Sequence, residues 1–228
     1  MKLATLILMG IPLLGSLPPL RAADQTATSA TVISFAGGSV WNADYSAGTC
    51  VWYLPVVGSL DPGSLFSDPK APAKETAYLV WVSPFTVQSL PAGPPFLPAP
   101  ASAKDAPPYA AVVAQSGTGT IYFQSDPSKR IWPIPTAASP ITPASLSNMN
   151  WGTPVATFTR NVSLVRSADG LASDTFVFTA DLLFSQPFVL PNGQLLDFGE
   201  LIPHGMTCFE YGQQASSWES GTCVARGR

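Results

Sequence analysis

Val155-Ala156-Thr157-Phe158-Thr159-Arg160-Asn161-Val162-Ser163-Leu164-Val165-Arg166 is the stretch that decides the fold. Ala156, Phe158, Val162 and Leu164 share one parity, while Thr157, Thr159, Asn161 and Ser163 share the other. A period of two marks a half-buried strand, because successive side chains point to opposite faces. Residues 175–184 repeat the pattern, with Phe176, Phe178, Ala180, Leu182 and Phe184 inward and Thr175, Thr179 and Asp181 outward. Asp169-Gly170 lies between the two runs, and an Asp-Gly step tolerates the positive φ values that a tight hairpin turn requires. The sequence therefore predicts a central β-hairpin.

Working outward, Asn192-Gly193 predicts a second, shorter hairpin joining residues 188–190 to 194–198. Further apolar runs rich in Val, Phe, Tyr, Trp and Thr predict strands at 31–35, 50–57, 77–87, 109–114, 119–124 and 206–211. Gly117-Thr118-Gly119 reads as a turn before a strand. No sustained 3.6-residue period is present, so helical crossovers and a parallel sheet are not expected. Residues 91–108 contain Pro91, Pro94, Pro95, Pro98, Pro100, Pro107 and Pro108, which cannot donate to a ladder and read as an extended loop. Residues 132–143 form a second such segment, and Asp61-Pro62, Asp68-Pro69 and Asp126-Pro127 mark turn starts. The expected class is all-β, an antiparallel β-barrel or β-sandwich with long Pro-rich loops.

The start of the chain reads as an address. Met1-Lys2 precedes an uncharged apolar run over 3–20, followed by Ala22 and Ala23, the pattern of a secretory signal peptide over 1–23. Residues 24–30 are a polar leader without periodicity, and 31–228 form a single β domain. After Arg21 no run approaches the roughly 20 apolar residues of a membrane span. The chain is expected to be secreted or periplasmic and not membrane-spanning. Without Lys2 and Arg21, nine basic residues face fourteen acidic ones, a net charge of about −5. The only adjacent basic pair is Lys129-Arg130, so nucleic acid is not an expected partner.

Chemistry-bearing motifs are sparse. The single histidine, His204, has Glu200 and Glu210 near it in sequence, but one histidine without a second ligand at defined spacing reads as structural or solvated. Ser67-Asp68-Pro69-Lys70 matches a Ser-x-x-Lys pattern without its companion Lys-Thr-Gly and carries a turn step instead. No calcium loop, phosphate loop or dinucleotide fingerprint occurs, and no cofactor or metal is expected. Trp52 and Trp81 fall in continuous apolar runs and should be core. Trp41, Trp132, Trp151 and Trp218 fall in loop-like sequence and are the candidates for a ligand surface. Asn161-Val162-Ser163 matches a glycosylation sequon.

Three cysteines allow one internal disulfide. Cys208 with Cys223 is the favoured pair, because residues 212–228 have little apolar content to hold them down. Cys50 would then be a free, buried thiol beside Val51 and Trp52. The rival is Cys50 with Cys208 or Cys223. The expected function is an exported, non-catalytic β domain that binds a small or apolar ligand or acts at the cell surface, with an unknown small ligand or envelope component as partner. The alternatives are a barrel enzyme, either a carboxylate-based hydrolase or an isomerase, and a structural envelope subunit.

Overall fold

The computed structural model describes residues 31–43, 46–58, 67–68, 71–89, 112–131, 141–166, 173–213 and 218–227. The signal peptide, the leader, the proline-dense 91–108 segment, most of 132–143, the Asp169-Gly170 turn, Trp132 and the Trp218 side chain lie outside the described residues.

In chain order the strands are β1 (Thr31–Trp41), β2 (Ala47–Val57), β3 (Ser67–Asp68), β4 (Ala71–Glu75), β5 (Tyr78–Ser89) and β6 (Val112–Gln124). They continue with β7 (Thr153–Arg166), β8 (Ser173–Ala180), β9 (Leu182–Ser185), β10 (Phe188–Val189), β11 (Leu195–Leu196), β12 (Met206–Gln213) and β13 (Trp218–Ala225). Eight of them close into an antiparallel barrel in the order β1, β2, β5, β6, β7, β8, β12, β13, with β13 returning to β1. The choice between barrel and sandwich is thus a barrel.

The central hairpin forms with Asn161–Arg166 of β7 against Asp174–Thr179 of β8. Phe176, Phe178 and Ala180 point inward and are buried, as their parity requires. The second strand does not run on to Phe184. It breaks at Asp181, whose carboxylate takes the Thr159 hydroxyl and pairs with Arg226, and β9 then continues in the same direction along the first half of β7 with its register shifted by one residue, which puts Phe184 opposite the outward Thr157. Phe184 is therefore 45% exposed, not inward. The Asn192-Gly193 hairpin also forms, with Phe188 opposite Leu196 and Gly193 at φ 85°.

Three expectations need correction. Residues 109–114 and 119–124 are not two strands around a turn, because β6 runs unbroken through Gly117-Thr118-Gly119. Those glycines serve close approach: a Cβ on Gly119 would sit 2.1 Å from the Trp81 indole nitrogen. Residues 218–225, where no strand was expected, form the closing strand, low in apolar content yet paired on both sides by β1 and β12 and joined to β12 by the expected disulfide. A short helix, Pro143–Ser147, forms where only loop was expected, started by a reciprocal capping box between Thr142 and Ser145 with Pro143 in its first turn.

Two apolar layers follow from strand alternation. Inside, Phe35, Trp52, Trp81, Phe158 and Phe178 pack together, with Phe35 and Trp52 centroids 4.9 Å apart and Trp52 stacked on Phe178 at 5.8 Å. The segment spanning β9 to the helix Phe198–Leu201 closes one end by adding Leu190, Leu196, Phe198 and Ile202 to this interior. Outside, Val51, Tyr53, Val80 and Val82 on β2 and β5 are covered by Leu146 and Trp151 from the segment after β6.

The disulfide joins Cys208 and Cys223, which face each other across β12 and β13, and Cys50 is free and buried.

Candidate functional site

Beyond the aromatic layer, on the side away from the plugged end, the interior changes character. Arg160 of β7, Glu210 of β12 and Glu219 of β13 all point inward and are almost fully buried, together with Ser39 and Cys50. Strand parity puts them there. Arg160 lies between the inward Phe158 and Val162, Glu210 follows the inward Met206 and Cys208, and Glu219 precedes Gly221 and Cys223.

Glu219 is held from two sides. The Ser39 hydroxyl donates to Oε1 at 2.5 Å and the Trp52 indole N–H to Oε2 at 2.7 Å. The Trp41 indole in turn donates to the Ser39 oxygen at 2.9 Å. Arg160 lies 3.8 Å from Glu210 Oε2, an ion-pair distance too long for a hydrogen bond. Its guanidinium packs over three rings, with centroids at 5.0 Å for Trp52, 4.9 Å for Phe85 and 5.4 Å for Phe178. Such contacts are each worth up to about 2 kcal/mol when desolvated. They leave Arg160 Nε and Nη1 and Glu210 Oε2 buried and without a hydrogen-bond partner among the described residues.

Burial, reinforced by the neighbouring Glu219, pushes the Glu210 carboxyl well above its ordinary 4.5, while Arg160 opposes the shift. The two carboxyls interact, so the retained proton belongs to the pair. Burial likewise raises Cys50 well above its ordinary 9.0 against the pull of Arg160, so the group is an inert thiol and not a thiolate nucleophile.

A hollow of about 540 Å³ lies in the wall beside this cluster, lined by Gln88, Gln115, Ser116, Asn161, Val162, Val177, Phe178 and Thr179. Phe178 links the two features, lining the hollow while its ring rests on Arg160.

Of the residues singled out from sequence, Trp41 reaches this cluster through Ser39, whereas His204 and Trp151 lie elsewhere. His204 is exposed in the turn before β12, whereas Glu210 points into the barrel. Trp151 is 4% exposed and donates to the Leu146 carbonyl, so it forms part of the outer cover. Trp41 is half-buried, packed edge-on against Phe85 at 4.7 Å. No cluster of three or more potential metal ligands occurs among the described residues. Arg160 and Glu219 were not flagged from sequence, and Glu210 was noted only as a neighbour of His204. The available signal was parity: each is a charged residue at an inward position of a strand.

No family model matches the chain, and no curated protein or solved structure matches it.

Proposed function

We propose that this is an exported binding protein whose barrel takes a small ligand in its polar half, with Arg160 and Glu210 as the recognising groups. The carrying observation is the set of unpartnered buried atoms on Arg160 and Glu210. Each such atom costs about 1–3 kcal/mol if nothing completes it, and a ligand oxygen accepting from Arg160 offsets that cost. Glu210 and Glu219 already bring two carboxyl groups into this half of the barrel against the single Arg160, so a further buried anion would be expensive. An uncharged ligand with an apolar ring and a carbonyl or hydroxyl oxygen fits the three aromatic faces and the open donors. The buried Cys208–Cys223 disulfide supports a secreted or periplasmic setting, where such bonds persist.

The test is a charge series of isosteric probes, benzamide, benzoate and benzamidine, read by tryptophan fluorescence, since Trp52 touches both Arg160 and Glu219. Benzamide should give saturable quenching in the wild type and none in Arg160→Leu. Equal quenching in the variant, or none from any probe, refutes the reading.

The convergence of two buried carboxyls favours a second reading, an acid–base enzyme in which the Glu210 proton and Arg160 polarise a bound carbonyl. Turnover of a carbonyl substrate that is lost in Glu210→Gln while binding persists would select it.

A further inference from the structure

We infer that the outer wall across β6, β7 and β8 carries a separate site for a neutral saccharide. On its outward face the hollow has four amide or hydroxyl side chains, Gln88, Ser116, Asn161 and Thr179, and no ionisable group among its lining residues. Gln115, paired with the core residue Val162, turns into the barrel and is not part of this face.

The surface beside the hollow supplies the other half of saccharide recognition. Val177, which lines the hollow, is paired across the sheet with Phe209, and Thr175 with Tyr211. Phe209 is 49% and Tyr211 46% exposed, two positions apart on one face of β12 and thus about 7 Å apart along the strand. Flat rings on a rigid strand stack against the C–H faces of pyranose rings, while amides and hydroxyls serve the hydroxyl groups.

Other ligand classes fit less well. A phosphate or carboxylate ligand needs a lysine or arginine, and none lines the hollow. A peptide adding as an extra strand needs a free sheet edge, whereas β6, β7, β8 and β12 are hydrogen-bonded to neighbours on both sides over this region. The hollow falls within the usual range of small-ligand sites.

The experiment is an NMR titration of the whole folded protein with maltohexaose, cellohexaose and N-acetylchitohexaose, beside a neutral hexapeptide of Gly, Asn and Ser and an anionic oligosaccharide. One or more of the neutral sugars should saturate with a Kd in the millimolar range or tighter, shifting the amides of Ser116, Asn161 and Thr179. Asn161→Ala and Tyr211→Ala, both surface changes, should each weaken that binding about tenfold with the thermal midpoint unchanged. The proposal is overturned if no neutral sugar shifts those amides at millimolar concentration, or if the peptide or the anionic sugar shifts them equally. Full affinity in the doubly substituted protein overturns it as well. The benzamide series reads Arg160 inside the barrel, so failure of either proposal leaves the other standing.

Discussion

Glu210→Gln is the substitution with the most specific consequence. The folded protein holds a proton on the Glu210–Glu219 pair that the unfolded chain releases above the ordinary carboxyl value of 4.5. A raised carboxyl pKa means that the native state binds more protons than the unfolded state. Stability therefore falls as pH rises, by about 1.4 kcal/mol per pH unit, until the folded pair gives up its proton. For a domain of this size that is roughly 3–6 °C of Tm per unit. Other perturbed groups act outside the window from pH 5 to 8. Asp126 and Asp181 are lowered from 3.8 by their Ser128 and Arg226 partners, and their contribution is complete above that value. Cys50 is raised from 9.0 and Tyr53 from 10.0 by burial, and Tyr78 is pushed up to about 12. Glutamine imitates the protonated acid in shape and cannot ionise, so it leaves Glu219 facing Arg160, Ser39 and Trp52 alone. Urea unfolding at half-unit steps should show a falling wild-type profile and a flattened variant profile, with the variant gaining on the wild type as pH rises. A flat wild-type profile, or an unchanged slope in the variant, would refute the assignment of a retained proton to this cluster.

Phe178→Ala should cost about 3–5 kcal/mol, because the ring is 1% exposed and packs on Trp52, Trp81, Phe35 and Arg160; a loss below about 1 kcal/mol in chemical denaturation contradicts this packing. Replacing Cys208 and Cys223 by serine should remove about 3 kcal/mol, from a bridge spanning 15 residues, and peptide mapping without reductant should recover the two cysteines linked and Cys50 alkylated. Gly37→Ala should be strongly destabilising, since its Cβ would lie 1.9 Å from the Val51 carbonyl oxygen, a fixed backbone atom; wild-type stability would show that β1 and β2 can separate there. In a glycosylating host the exposed Asn161 should acquire a glycan, seen as a mass removed by a glycosidase, and should lose oligosaccharide binding; unchanged binding by the modified protein counts against the wall site.

The hairpin, the strands and the disulfide were legible because each rests on local information: period two, an Asn-Gly or Asp-Gly step, a cysteine count. The break at Asp181 was not, because Phe184 keeps perfect parity in the sequence and only the one-residue register shift of β9 against β7 turns it outward. Strand β13 escaped because Glu219, Ser220 and Gly221 carry no strand signal alone, and pairing on both sides supplies what their side chains do not. The cluster was hidden for a related reason. Reading charge as surface conceals Arg160, although the alternation of Phe158 and Val162 already places it inside. The counterparts on β12 and β13 lie over 45 residues further on, and only barrel closure brings them to it.

That closure also orders events in time. β1 has β2 as one neighbour early in synthesis, but its other neighbour is β13, with Thr31 opposite Val224. Until the last strand has emerged, the growing chain is an open sheet with two bare edges, and the ring pairing cannot be completed. Contacts this distant in sequence make folding slow and leave the intermediates prone to edge-to-edge association. Completion of the ring therefore waits on the final strand, which must find both β1 and β12.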